Sequence, residues 1–444
     1  MSKVESAMRF VRRGVWLPVV AVAVAFVSFG CSDDDSKVAN PETDLRARFD
    51  LQTLPAIPYP PDNPPRQERI ALGRLLFFDP LLGGEMDVAC GTCHHPDFAF
   101  ADRRQFGAGV SGSGLGPNRL VSTSSVSGEL VALEPRNTPT VFNTAFNVNG
   151  EGAMSFDGFQ FWDGRVKGLE VQATKPITSR VEMRGDAYGM DDAHATAVSL
   201  DSVLTRIRAV PEYEARFRDA FPDEALEVDQ GTRSSVIDSS TYARAIASYE
   251  RELVTRNTAY DRYVLGDDQA LNARQLRGLE VFFTKGRCND CHSGPMFSDF
   301  SFVCQAVPQE GTGKVVIPGD DAGREEFTLD PNDRYMFRTP TLRNAELTPP
   351  YMHDGVFESL EEVVRFYNDG AVPRHPAIPV EQIHPSVRAP LGLTDQEMSD
   401  LVEFLKALTD PGTLLDPMLL TVPERVPSGL DPVFGVRDPG SGRP

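Results

Sequence analysis

Two short segments of this chain share one arrangement. Cys90-Gly91-Thr92-Cys93-His94 and Cys288-Asn289-Asp290-Cys291-His292 both read Cys-x-x-Cys-His. The chain holds six cysteines in 444 residues, and four of them fall here. This spacing is the attachment motif of c-type haem: the two thiols form thioethers to the vinyl groups, and the adjoining imidazole becomes the proximal iron ligand. A thioredoxin-like redox pair or half of a zinc site uses similar spacing. Neither accounts for a histidine that follows immediately in both copies. At this cysteine and histidine content one accidental copy would arise on the order of once in a thousand such chains.

A second repetition flanks the first. Gly73-Arg74-Leu75-Leu76-Phe77-Phe78 precedes one motif and Gly278-Leu279-Glu280-Val281-Phe282-Phe283 the other. Both read Gly-x-x-x-Phe-Phe on helical apolar spacing. The glycine lets another helix approach closely, and the aromatics can cover a haem edge. Near the end, Thr394-Asp395-Gln396-Glu397 is a capping box. It opens a helix with Met398, Leu401, Val402, Leu405 and Leu408 on one face, as expected of the closing helix of a cytochrome c domain. Further helices are expected near Leu200–Ala209, Glu212–Ala220 and Thr241–Leu253, with a packing role. Alternating runs are scarce outside Val121–Val131. The chain thus reads as mainly α: two cytochrome c-like haem domains, residues 66–268 and 269–410, packed against each other with long loops and little sheet.

The ends are read differently. Arg9, Arg12 and Arg13 precede an uncharged apolar run from Val15 to Phe29, the pattern of a signal peptide over residues 1–30. The run is short of the ~20 residues that a membrane-spanning helix needs. Ser28-Phe29-Gly30-Cys31 resembles a bacterial lipobox, with Ser28 where leucine is usual, and makes Cys31 the candidate lipidated residue. Residues 31–65 are rich in Asp, Asn and Pro and are expected to form an extended, lipid-anchored linker; residues 411–444 are expected to form a surface tail. Removing residues 1–30 takes the net charge from −20 to −23. That excludes nucleic acid as a natural partner and permits steering of a basic redox partner.

Further motifs bring in a family. Arg136-Asn137-Thr138-Pro139-Thr140-Val141-Phe142-Asn143, Phe161-Trp162-Asp163-Gly164-Arg165, Gln172, Glu182-Met183, Pro340-Thr341-Leu342-Arg343-Asn344 and Pro350-Tyr351-Met352-His353-Asp354-Gly355 follow in that order. Over roughly residues 66–410 the chain resembles the bacterial di-haem cytochrome c peroxidase and MauG superfamily. The resemblance implies a periplasmic enzyme with two covalent haem c groups that uses H2O2 and a redox partner protein. The N-terminal haem, on Cys90, Cys93 and His94, would be peroxidatic; the C-terminal one, on Cys288, Cys291 and His292, would handle electrons. Gln172 and Glu182 follow Trp162 by ten and twenty residues, the family spacing for the distal side of the peroxidatic haem. Heterolysis of O–O needs a group that takes a proton from one oxygen and returns it to the other, and Glu182 suits that role. Trp162, by the same resemblance, lies between the haems as an intermediate for electrons.

Two positions separate branches of the family. Ordinary members carry a histidine sixteen residues after the first proximal histidine; here Val110 stands there, and no histidine occurs between His95 and His194. Ordinary members carry a methionine fourteen residues after the histidine of Tyr-x-His-Asp-Gly; counting from His353 gives Tyr367. A Tyr ligand on the second haem is the MauG pattern. A calcium ion is implied at Asn137, Thr348 and Pro350, the last two through carbonyls. His353 is expected to support the second haem without ligating it, and Cys304 to be a buried thiol. Rival functional readings are an ordinary peroxidase fed by small electron-donor proteins and a di-haem electron carrier without peroxidase chemistry.

Overall fold

The structure is a computed structural model that describes residues 44–311, 313 and 319–435. The expected signal peptide, Cys31 and the end of the C-terminal tail lie outside the described residues. Each haem motif sits beside a crossed pair of helices. Gln67–Phe77 crosses Ser239–Glu252, and Ala273–Phe283 crosses Asp395–Lys406. A crossing this close needs a residue without a side chain. A Cβ at Gly73 would lie 1.9 Å from the carbonyl oxygen of Ala245, and one at Gly278 would lie 1.9 Å from that of Asp400. The glycines of the repeated Gly-x-x-x-Phe-Phe are therefore the two crossing points.

Each pair nucleates its own core. Leu76, Phe77, Phe78, Phe100, Ile246 and Tyr249 belong to one, and Tyr260, Phe282, Phe297, Phe404 and Leu405 to the other. The closing helix starts where the capping box placed it: Thr394 accepts from Glu397 N, and Glu397 Oε2 accepts from Thr394 N at 2.8 Å. Helices Asp192–Arg208, Pro211–Ala220 and Ser239–Glu252 cover the three expected positions. The first begins eight residues before the expected Leu200, because Asp191 caps it by accepting from His194 N. Only two-stranded sheets occur among the described residues.

Three edges differ from the sequence reading. Tyr260 and Tyr263 lie before residue 269 yet pack in the second core, and Tyr260 N donates to Ala407 O. From Asp44 onward the expected linker is a packed strap. It forms a one-turn helix, Leu45–Arg48, stacks Phe49 on Phe283 at 4.9 Å and buries Leu54. Proline removes N–H donors but leaves apolar side chains free to pack, so composition misled here. The expected tail returns across the first domain instead: Val433 N donates to Phe78 O, and Thr92 Oγ1 donates to Val433 O at 2.7 Å.

A further internal repeat, Thr138–Asn143 and Thr339–Asn344, shares its hydrogen bonds as well as its sequence. Thr140 Oγ1 donates to Ala99 O at 2.6 Å, and Thr341 Oγ1 to Met296 O at 2.6 Å. Each Thr-Pro-Thr segment then runs to an asparagine in left-handed conformation, Asn143 at φ 64° and Asn344 at φ 63°. Both carboxamides donate to one hydroxyl, Thr255 Oγ1, at 2.9 and 3.1 Å. The two halves meet at that buried threonine.

Candidate active site

Each Cys-x-x-Cys-His histidine is oriented by a carbonyl. His94 Nδ1 lies 3.0 Å from Phe100 O, and His292 Nδ1 lies 2.9 Å from Phe297 O. Phe100 and Phe297 both adopt positive φ, which turns those carbonyls toward the rings. With its Nδ1 proton donated to a carbonyl, each imidazole keeps Nε2 for a metal. Burial depresses both pKa values and keeps the rings neutral, as ligation requires. Burial also pushes Cys93 and Cys288 up to about 12. A thiol-exchange pair needs the opposite shift, so the redox-motif reading finds no support here. A deep apolar cavity opens beside each motif, and the donor set of each fits one haem c.

The N-terminal cavity brings together Cys90, Cys93, His94, Trp162, Gln172 and Glu182. Gln172 ends the short helix Leu169–Gln172, and Glu182 sits on the single wide helical turn Arg180–Arg184. The Glu182 carboxylate is 4.0 Å from Arg165 Nη2. Val110 is buried in the first core, and its N–H donates to Glu182 O at 2.8 Å. His95 faces away and caps a turn by accepting from Asp97 N at 3.2 Å. Among the described residues lining this cavity, His94 is the sole histidine.

The C-terminal cavity gathers Cys288, Cys291, His292, Tyr367, His353, Asn137, Thr348 and Pro350. Tyr367 projects from helix Leu360–Asn368; burial first, then the nearby thiols, pushes its phenol well above the usual range. No hydrogen bond of its hydroxyl occurs among the described residues. His353 stacks on Phe337 with centroids 3.9 Å apart, and burial lowers its pKa to about 4. Asn137 Nδ2 donates to Arg104 O at 2.7 Å, which turns Oδ1 elsewhere. No cluster of three or more His, Cys, Asp or Glu suited to a metal occurs among the described residues, so a cation here would rest on carbonyl and amide oxygens. Cys304 is buried, as expected, in a separate small core.

Trp162 lines both cavities. Its Nε1 donates to Asn137 O at 2.9 Å, and its carbonyl accepts from Arg338 N at 2.7 Å. That seat decides the reading of the site: two haem-type cavities share one indole. Known proteins resemble the chain over most of its length. Residues 67–269 match the family model described as di-haem cytochrome c peroxidase. The chain is 34% identical over 382 residues to the methylamine utilization protein MauG of Methylorubrum extorquens, covering 86% of this chain and 87% of that one. The chain belongs to the di-haem cytochrome c peroxidase and MauG family.

Cytochrome c551 peroxidase of Pseudomonas aeruginosa is 34% identical over 302 residues, 68% of this chain and 72% of that protein. A solved MauG-like protein associated with microbial copper homeostasis superposes with a TM-score of 0.65 at 28% identity, covering 84% of this chain and 98% of its own. As a member of this di-haem peroxidase family, the protein is an oxidoreductase with two haem c groups, H2O2 as substrate and a redox partner protein; the carrier reading falls away.

Three cavity residues escaped the sequence reading. Arg338 lines both cavities, donates to Phe161 O and Asn147 Oδ1, and is pushed down to about 10 by burial. An enclosed cation there suits the carboxylates of a bound haem. Arg165 stands beside Glu182 in the N-terminal cavity. Glu250 lines that cavity too, with Oε2 lacking a hydrogen-bond partner. Its signal was legible: a charged residue on the helix face that carries Ile246 and Leu253.

Proposed function

We propose that this protein is a periplasmic peroxidase of the MauG-like branch. It reduces H2O2 in the N-terminal cavity and draws electrons through Trp162 and the C-terminal cavity from a partner protein, which is thereby oxidised. The observation that carries this reading is the shared indole, with Gln172 and Glu182 on the His94 side and Tyr367 on the His292 side. When bound, haem c supplies the iron that exchanges electrons with peroxide. The side chains do the rest. His94 and His292 would hold the two haem irons through Nε2. Gln172 orients peroxide, and Glu182 takes a proton from its near oxygen and returns it to the far oxygen, which leaves as water. Val110 in place of a histidine keeps that face open without prior reduction.

On the second side Tyr367 would hold the haem iron together with His292. A phenolate is hard and anionic and favours the ferric state, whereas a thioether would raise the potential. Calcium on Asn137, Thr348 and Pro350 would brace the segments that seat Trp162, since Asn137 also accepts its indole N–H. Residues 1–30 act as the export signal, and Cys31 is the site of a lipid anchor, the sole membrane contact. No helix among the described residues is long and apolar enough to cross a membrane.

An ordinary peroxidase, fed by small electron-donor proteins, is the second reading, favoured by a relative named cytochrome-c peroxidase at 31% identity over 429 residues. Spectra of the diferric protein before and after stoichiometric H2O2, without reductant, separate the two. The MauG-like reading expects an immediate, long-lived change. Indifference to peroxide until one haem is reduced would establish the ordinary reading.

A further inference from the structure

Tyr335 differs from the other cavity tyrosines. Its hydroxyl donates to Asp320 Oδ2 at 2.9 Å, and the same oxygen lies 3.1 Å from His375 Nε2. His375 Nδ1 accepts from Ala377 N at 3.2 Å, which leaves the ring proton on Nε2, directed at Asp320. The carboxylate thus accepts from a phenol and an imidazole together. The His375 ring tilts against the phenol with centroids 5.0 Å apart. Tyr335, Asp320 and His375 are 7%, 9% and 7% exposed, so water does not compete for these bonds. Tyr335 and His375 line the C-terminal cavity alongside His292 and Tyr367.

A buried hydroxyl needs only one acceptor, and a carbonyl is enough. Carbonyls serve Tyr249, Tyr260 and Tyr351, the last of which lines the same cavity. Tyr59 and Tyr213 do meet carboxylates, at Glu252 and Asp79, but line neither cavity. Tyr335 alone of these combines a haem-type cavity with a carboxylate backed by an imidazole. That combination has a chemical use. A phenol that loses an electron becomes a strong acid, and the loss is easy only where a base waits at hydrogen-bond distance.

We infer that Tyr335 is a redox-active tyrosine, with the Asp320–His375 pair as its proton acceptor. The inference rests on the peroxidase reading above. Reduction of H2O2 with two protons to two waters withdraws two electrons, and Tyr335 supplies one of them. Its O–H bond breaks, the proton passes to the Asp320 carboxylate, and a neutral phenoxyl radical remains. An electron from the partner protein, with the proton returned by Asp320, restores the phenol. Tyr335 is therefore a second holding place for an oxidising equivalent, beyond the pair of haems.

The test is electron paramagnetic resonance on diferric holoprotein, freeze-quenched after stoichiometric H2O2, with haem absorption read in the same samples. Wild type should give a tyrosyl signal that narrows on ring-deuteration of tyrosine. Tyr335→Phe should lose it with both haems retained, and Tyr213→Phe should keep it. Asp320→Asn should shorten its lifetime, and serves as the variant to read if Tyr335→Phe fails to fold. A haem response without a tyrosyl signal, or a signal unchanged in Tyr335→Phe or Asp320→Asn, overturns the inference alone. Haems that do not respond to peroxide in any redox state overturn it together with the peroxidase reading.

Discussion

Replacing Glu250 by glutamine should flatten the pH dependence of stability. Glu250 lies inside the first domain with one carboxyl oxygen unpartnered. Burial is the chief cause that raises its pKa from 4.5 to about 8; Arg251 opposes the shift and Glu170 adds to it. A folded pKa above the unfolded one means the fold holds the proton more tightly than the open chain does. Between those two values the unfolded chain has released its proton and the folded one has not, so stability falls as pH rises. The effect is nearly absent below about pH 4.5 and complete above about pH 8. At about 1.4 kcal/mol per pH unit, the gap between 4.5 and about 8 amounts to roughly 5 kcal/mol when complete and about 3 kcal/mol at pH 7. Glutamine cannot ionise, and any packing cost of its amide is the same at every pH. Urea unfolding followed by circular dichroism at pH 5 and pH 8 should therefore show wild type losing about 3.5 kcal/mol relative to Glu250→Gln over that interval. Parallel profiles for the two proteins would refute the reasoning, since they would mean that Glu250 is ionised, or solvated, in the fold.

Glu182→Gln should slow the response of the diferric protein to peroxide by about 10²–10⁴-fold in stopped-flow absorbance, with both haems retained; an unchanged rate removes Glu182 from proton transfer. Gly278→Ala should cost about 1–3 kcal/mol or more, because its Cβ would meet backbone at 1.9 Å, and urea unfolding should show it; an unperturbed midpoint would contradict the helix crossing. Chelation of calcium should alter the haem spectra and suppress activity, with both restored on adding Ca²⁺; an active protein free of calcium by elemental analysis counts against the site. Tyr367→His should keep both haems yet lose the long-lived peroxide-induced state, and persistence of that state would leave Tyr367 without a role as ligand.

How much of this was legible in the sequence depends on the range of the interaction. The haem motifs, the glycine crossings and the Thr394 cap are local patterns, and local chemistry fixes them: a Cβ at Gly73 or Gly278 has nowhere to go. Gln172, Glu182 and Tyr367 carry no local signal. They came from ordered resemblance, and the fold brings each into a cavity with its haem motif. Contacts between distant segments were invisible. The strap from Asp44 to Pro65 looked like a tether because proline dominates it, while the residues that hold it, such as Phe283 and Tyr263, lie more than two hundred positions away. Asp320 and His375 likewise gave no signal in the sequence, because nothing there joins them to Tyr335.

The halves diverge where the chemistry does and agree where the geometry must hold. Each Thr-Pro-Thr segment is tied to the chain just past the crossing helix of its own domain, Asn143 N to Leu253 O and Asn344 N to Leu408 O, and both reach Thr255. Between these anchors, Arg136 is clamped by Asp321 at 2.6 and 2.8 Å and by Asp163 at 2.7 Å, all three side chains being buried. Removing one partner from such a network typically costs about 3–5 kcal/mol, since a buried charge is left behind. That rigidity has a functional consequence. Asp163 adjoins Trp162, and Asn137, which adjoins Arg136, holds the indole N–H. A seat fixed on both sides keeps the indole against both cavities at once. A looser one would let either contact open, and under the relay role proposed for Trp162 electron passage would then slow. Substitutions at Asp321 should therefore slow communication between the haems before they prevent either haem from binding.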